Sequence, residues 1–327
     1  MRFLNPSRRT ILGLALAVAS AWAAGASAQD YPARPVRLIV PQSAGGSTDV
    51  IARAVAQRMS EALGQAVIVD NRPAAGTIIG VELVANAAPD GYTLLAVASS
   101  YTIIPALHKQ LPFDSVRDMS PVTQLATLPH ILVVHPSVPA GSVKELIAFA
   151  AGRPGQLNFA SSGFATSTHM AAELFMYMTG TRMVNVTYKG GSPAMVAMIG
   201  GECQVNFATI STAIPHVRAG RLRALAVTSA RRSVAAPEYP PMAEAGVPGY
   251  DHSSWIGLFA PARTPPPVIA RLNAEAVRAA RSQEAKAVLL GDGLEATGTT
   301  PGEFAAIVRT EIAKWMKVAK AAGFKPQ

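Results

Sequence analysis

The sequence predicts an α/β protein of two domains, on three observations. Short apolar runs alternate with amphipathic helical stretches, as where Val36–Val40 is followed by Ile51, Val55 and Met59 at helical spacing. Four of the apolar runs end in turns rich in hydroxyls or glycine. The order of elements takes the chain out of one domain near residue 128 and back near 250, a double crossover that permits hinge closure around a ligand.

The first 28 residues read as a targeting segment. Arg2, Arg8 and Arg9 make a basic start, Ile11–Ala24 an apolar core and Ala26–Ser27–Ala28 a cleavage signal, so the mature chain is expected to begin at Gln29. Ser7–Arg8–Arg9–Thr10–Ile11–Leu12 also resembles a twin-arginine signal, a pattern compatible with the Sec route. The apolar run is short for a membrane span, with a retained anchor as the alternative.

The next element organises the rest. Val36–Val40 is a strand, and Pro41 stops it because proline cannot donate to a ladder. Gly45 and Gly46 allow close backbone approach, and Ser47 or Thr48 is placed to cap a helix running to Leu63 and Gly64. The first amides of such a helix lack internal partners and carry the positive end of its dipole, which suits an anion. An ordinary capped βα turn is the plainer alternative. The device recurs, however. Tyr92–Ala98 leads into Ser99, Ser100, Tyr101 and Thr102; Leu157–Ala160 leads into Ser161–Thr168 and a helix to Met178; Val205–Ala208 leads into Thr209, Ser211 and Thr212. Ligands of open α/β sheets collect at the carboxyl ends of strands, so these turns predict one pocket of neutral donors.

Between these lie strand Val67–Val69, helix Ile79–Ala87, and two separate strands, Val122–Ala126 and Ile131–His135. Ser142 caps helix Val143–Ala151, with Glu145 completing a capping box. Strand Val184–Val186, helix Ala194–Ile199 and strands Leu225–Thr228 and Trp255–Ala260 follow, then two tail helices, Pro266–Ala280 and Pro301–Ala321.

Composition narrows the function. Without the three leader arginines the chain has 26 basic and 20 acidic residues, a net +6, scattered and with only 6% aromatics. That argues against nucleic-acid binding and is compatible with steering of anionic solutes. Cys203 is the one cysteine, so no internal disulfide forms, and the six histidines show no metal-ligand spacing. No cofactor or metal is expected. There is no G-x-S-x-G, H-E-x-x-H, P-loop or dinucleotide fingerprint, and no nucleophile–base pair is visible.

The chain also resembles a known family over essentially the whole mature length. The resemblance is carried by Arg37–Pro41 with Gly45–Asp49, Asn71–Arg72–Pro73, Pro89–Leu94, Ser162–Gly163 with Thr166–His169, Tyr188–Lys189–Gly190, Leu222–Ser229 and Glu244–Gly249. In their order and spacing these are similar to the Bug family, the periplasmic solute receptors of tripartite tricarboxylate transporters. The resemblance implies a two-lobed type II binding-protein (Venus flytrap) fold, each lobe a mixed sheet flanked by helices. It implies lobe 1 from 29–128 plus 251–327 and lobe 2 from 129–250. It implies a periplasmic protein, expected as a monomer, that holds a small organic acid between the lobes for integral-membrane transporter subunits.

Carried over by position, the first seat is Gln42, Ala44, Gly45, Gly46 and Ser47, with Asp49 closing the motif; the opposite seat is Phe164, Thr166, Ser167 and His169. Ser99, Ser100, Ala208 and Thr209 flank the pocket. His169 is placed to bond a ligand or to cap its own turn, with the structural role favoured. Where the family pattern has phenylalanine and prolines, this chain has Gln42, Ser43 and Ala44, and Ala208 stands where an acid or amide is common. The missing acid argues against a free amino acid as ligand, while Ile78 and Phe164 leave an apolar or aromatic wall open. Two other classes stay in play: the same module as a sensor for a membrane kinase, and, less favoured, a secreted hydrolase or isomerase.

Overall fold

The computed structural model describes residues 31–73, 77–291 and 293–326. The targeting segment, the Gln29 start and the turn 74–76 lie outside the described residues. The elements run β1 (Val36–Val40), α1 (Ser47–Leu63), β2 (Val67–Asn71), α2 (Ile78–Ala85), β3 (Thr93–Ala98), a 3-10 turn (Ser99–Thr102), α3 (Ile104–Leu107) and β4 (Met119–Val134). Then come α4 (Val143–Ala151), β5 (Asn158–Ser161), α5 (Ser167–Thr179), β6 (Val184–Thr187), α6 (Gly191–Ile199), β7 (Val205–Thr209), α7 (Ile210–Arg218), β8 (Arg223–Val227) and α8 (Met242–Ala245). The chain ends with β9 (Ser253–Pro261), α9 (Pro266–Ala280), α10 (Gln283–Gly291), β10 (Glu295–Ala296) and α11 (Pro301–Ala321).

The strands follow the order β2-β1-β3-β9-β4-β7-β5-β6, with β8 and β10 also on β4. Strand β4 belongs to both halves: its first part pairs with β9, from Met119–Pro261 to Pro129–Ser253, and its last part pairs with β7 and β8. The sequence expectation of two separate strands is therefore corrected to one 16-residue strand. The strand continues through Pro129, which pairs in register with Ser253, and two register shifts lie earlier, between Pro121 and Thr123 and between Gln124 and Ala126. The tail is corrected too, since α10 and β10 lie between the two expected helices. At α4, Ser142 Oγ accepts from the Glu145 amide at 3.2 Å, but the Glu145 carboxylate turns to the Gly141 amide at 2.6 Å, so the box closes one residue early.

Strand polarity positions everything that follows. β1, β2 and β3 are parallel, β9 is antiparallel to β3, and β4 is antiparallel to β9, so β4 runs with β3. β7 is antiparallel to β4 and parallel to β5, which is parallel to β6. The carboxyl ends of β1–β3 thus point toward the second sheet, and those of β5–β7 point back toward the first. Ala98, at the end of β3, is level through Ile256 with Ala126 of β4, while Thr209, at the end of β7, is level with His130. Four residues of β4 separate the two edges, about 13 Å at 3.3 Å per residue.

Each sheet is covered on both faces. In the first half, α1, α9 and α10 pack over one face around Leu38, Val55 and Leu272, and α2 and α11 bury Val81, Phe304 and Val308 with Trp255 and Phe259 on the other. In the second, Phe159, Phe175 and Phe207 form one core and Met195, Met198 and Ile214 the other. Helix α11 joins the halves: Phe304 and Val308 sit in a first-half core, Trp315 and Val318 in a second-half core.

Gly257, in the middle of β9, is where this packing is tightest. A Cβ there would stand 2.2 Å from Phe304 Cζ and 3.1 Å from Trp255. Gly257→Ala is expected to destabilise the protein by about 1–3 kcal/mol in urea unfolding, as overpacked cores do. Adding Phe304→Leu should return part of that loss.

Candidate functional site

Helix α1 starts without a side-chain cap. Its N-cap is Gly46, extended at φ −78°, rather than Ser47 or Thr48, which form the first turn. Both residues therefore present amides that have no i−4 carbonyl to bond. Gly45 precedes them at φ +82°, a left-handed position that suits glycine. Ala44, Gly45, Gly46 and Ser47 are all exposed.

Asp49 is not exposed with them. It is buried at 3% relative accessibility, and its carboxylate accepts from the Gly45 amide (2.9 Å), Arg53 Nε (3.0 Å) and Asn71 Nδ2 (2.9 Å). Asn71 Nδ2 also donates to Gln42 O at 3.1 Å. Burial works against ionisation, but the bonds from Arg53, Gly45 and Asn71 outweigh it and hold the carboxyl below the usual range. Asp49 thus braces the loop from behind, and the Gly45 amide is already engaged. Gln42 Oε1 is buried without a hydrogen-bond partner among the described residues.

The second seat repeats the plan. Thr166 is the N-cap of α5, extended at φ −70°, again with no side-chain cap bond. Its hydroxyl donates to Gly163 O (2.8 Å) and lies 3.1 Å from Thr168 Oγ1, which accepts from the Ser162 amide at 3.0 Å. His169 is buried; its Nδ1 accepts from the Ala165 amide at 2.9 Å and its Nε2 stands 3.2 Å from Glu173 Oε1. With both nitrogens engaged, His169 holds its own turn. Phe164 is exposed at 60%.

At the end of β3, buried Ser99 shares a 3.0 Å hydroxyl bond with Ser254, while Ser100 is half-buried. Ala208 is buried in the ladder opposite Ile131. Thr209, N-cap of α7, pairs its hydroxyl with Thr212 at 2.7 Å. Sequence reasoning missed Ser254, which nothing in its local pattern distinguishes.

It also missed the group around Ser167. Ser167 Oγ lies 2.8 Å from His130 Nε2 and 2.9 Å from His252 Nε2, and His252 Nε2 donates to Ser167 O at 3.0 Å. His130 sits where β4 passes between the sheets, and His252 sits at the start of β9. A signal was present, since both flank the expected crossovers at 128 and 250. A serine–histidine contact that no local pattern shows is therefore there. It makes a poor base. Burial pushes His130 down to about 4, and burial, then Lys314, then His130 push His252 well below its ordinary value. Neither Nδ1 has a partner among the described residues to orient the ring as a catalytic carboxylate would.

Behind these strands, Glu311 accepts from Trp255 Nε1 (2.8 Å) and Thr102 Oγ1 (3.0 Å), and burial raises its carboxyl above the usual range. It borders a groove of about 1280 Å³ shared with Thr127, Arg231, Glu295 and Lys314, and none of the sequence-predicted residues lines that groove. The predicted seats are brought to facing edges by strand polarity, not by an enclosed cavity. Among the described residues no cluster of three or more metal-ligating side chains occurs, and no helix is long and apolar enough to cross a membrane.

Two predictions follow from the buried charges. The unfolded chain takes up protons at His130 and His252 near pH 6.5, while the fold keeps both rings neutral. Stability is therefore full above pH 6.5 and falls as pH drops, by up to about 1.4 kcal/mol per pH unit for each histidine. Urea titrations between pH 7 and 4 should show that slope, and His130→Gln with His252→Gln should flatten it. Asp49→Asn should cost about 1–3 kcal/mol at pH 7, because the amide loses the charge that gathers three donors. That difference should shrink as pH falls through the ordinary carboxylate range, where the unfolded chain takes up the proton first and the folded carboxylate only at still lower pH.

Comparison with known proteins places this geometry. The family model described as tripartite tricarboxylate transporter family receptor matches residues 51–324. The periplasmic binding protein BugD is 28% identical, covering 91% of this chain and 100% of that chain at a TM-score of 0.70. An R. palustris protein with adipate is 35% identical, covering 91% and 100% at 0.73. MatC from Rhodopseudomonas palustris with bound malate is 30% identical, covering 88% and 99% at 0.70. The fold is thus the two-lobed type II fold of periplasmic binding proteins, and the chain is a solute-binding receptor, not an enzyme, that belongs to the tripartite tricarboxylate transporter receptor family.

Proposed function

We propose that this receptor captures a small carboxylated organic acid between its lobes, as a monomer in the periplasm, and delivers it to integral-membrane transporter subunits. In this reading lobe 1 is 29–128 plus 251–327, lobe 2 is 129–250, and the leader directs export. One arrangement carries it. Helices α1 and α5 both begin at facing sheet edges, each on an extended N-cap with no side-chain cap bond. Their first amides thus lack a side-chain partner at the gap, which suits an anion. The relatives holding adipate and malate support the same ligand class.

The energetics suffice without a buried arginine. Hydrogen bonds to a charged group are worth about 1.5–3 kcal/mol each. Four or five amide and hydroxyl donors reach the roughly 8 kcal/mol of a micromolar complex, before ordering costs. Ala208 offers no charge for an amine, so non-amino acids are the expected class.

Mass spectrometry of small molecules released on denaturing the purified mature protein is expected to yield an organic acid. Ser47→Pro then probes the first seat cleanly. Proline suits the first helical position, and Gly46 already has the extended backbone it demands, so the melting temperature should move by no more than about 2 °C. The variant lacks one seat amide, and carboxylate affinity should fall about tenfold or more by calorimetry. Unchanged affinity would remove the α1 terminus from the site.

A further inference from the structure

Phe164 is the one exposed phenylalanine among the described residues, and it is held, not loose. Its ring packs against His169 at 5.4 Å and against Phe324, in the tail after α11, at 5.0 Å; His169 in turn packs on the buried Phe159 at 5.8 Å. The backbone beneath is fixed as well. Ala165 takes the left-handed conformation at φ 55°, which an alanine adopts only under constraint, and its amide is tied to His169 Nδ1 at 2.9 Å. Phe164 thus has a braced side and a bare side.

Its place in the fold supplies the second half of the argument. It stands two residues before the N-cap of α5, at the carboxyl end of β5, which points toward the first lobe. The turn from Gly163 to Thr166, closed by a 3.4 Å amide-to-carbonyl bond, keeps the Phe164 Cα within about 7 Å of the helix start. A carboxylate seated on the α5 amides would carry its next few carbons past the ring.

We propose that the bare side of Phe164 is a stacking platform for the body of the ligand, and that the receptor prefers planar aromatic carboxylates over saturated acids of the same size and charge. His169 acts as a positioning residue that sets the ring and does not touch the ligand. This rests on the carboxylate-receptor reading and narrows its ligand class. Ring stacking contributes beyond buried area, so the preference should be about 2- to 12-fold.

The test is calorimetry on the mature protein with benzoate, cyclohexanecarboxylate and adipate as probes. Benzoate and cyclohexanecarboxylate match in size and charge and differ in planarity. Wild type should bind benzoate about 2- to 12-fold more tightly than cyclohexanecarboxylate, and Phe164→Leu, which keeps apolar bulk, should abolish that ratio. Equal binding of the two ring acids by wild type, or an equal loss for all three probes in Phe164→Leu, would overturn the platform and leave the receptor reading standing. Absence of binding by all three, together with an empty mass-spectrometric extract, would overturn both. Melting curves of the variant, and of Phe324→Leu beside it, distinguish loss of stacking from loss of fold.

Discussion

Everything about the site depends on β4 lying in both sheets. A strand has one direction, so a strand shared by two sheets fixes the direction of all their members. β3 runs with β4 in the first sheet, and β7 runs against it in the second. The loops after β1 and β3 must then face those after β5 and β7. No side-chain interaction is needed to bring the seats to a common gap; ladder hydrogen bonds do so before any cleft residue is chosen. This leaves the cleft loops free to vary in chemistry, as Gln42, Phe164 and Ala208 do here, while the frame stays put.

The loops themselves show a division of labour between groups that build and groups left open. Asp49 satisfies Gly45, Arg53 and Asn71 and so stiffens the first loop from its buried side. His169 does the same for the second by holding Ala165. Both are polar groups in apolar surroundings, where an unmade bond would cost more than a made one returns. What they leave behind is a set of main-chain amides in fixed positions. A rigid neutral seat loses little order when an anion binds, which is how modest individual bonds add to useful affinity.

Much of this was legible in the sequence, and the losses have a common cause. Local patterns located the strands, the hydroxyl turns and the helix starts because they depend on neighbours in sequence. The continuation of β4 through Pro129 was not legible, because a proline's effect on a ladder depends on which edge it faces, a tertiary fact. Asp49 carries the right residue type at the right place for a ligand contact, and only its burial and its three partners show it to be a brace. Ser167, His130 and His252 are 37 and 85 residues apart along the chain, so no local pattern joins them. Phe164 was legible as an aromatic wall, whereas its brace, Phe324, lies 160 residues away.

The Ser167 group shows how the two crossovers are tied to the ligand seat. One hydroxyl meets a histidine from β4 and a histidine from the start of β9, which are the two strands that pass between the lobes. Ser167 is also the first residue of α5, where the second seat begins. Any rotation about the crossing strands must either carry α5 with it or break bonds to a hydroxyl whose partners are buried. Breaking them would leave two neutral imidazoles without acceptor or donor in a dry interior, a costly outcome. The economical motion therefore moves α5 and its amides as one body with the ends of the crossing strands. On the same helix whose Trp315 packs on His252 at 5.1 Å, Glu311 links Thr102, beside the first lobe's cleft turn, to Trp255 on β9. The crossover thus carries polar ties that run from strand to seat, and a relative motion of the two halves that preserved them would be a hinge rather than a slide of one past the other.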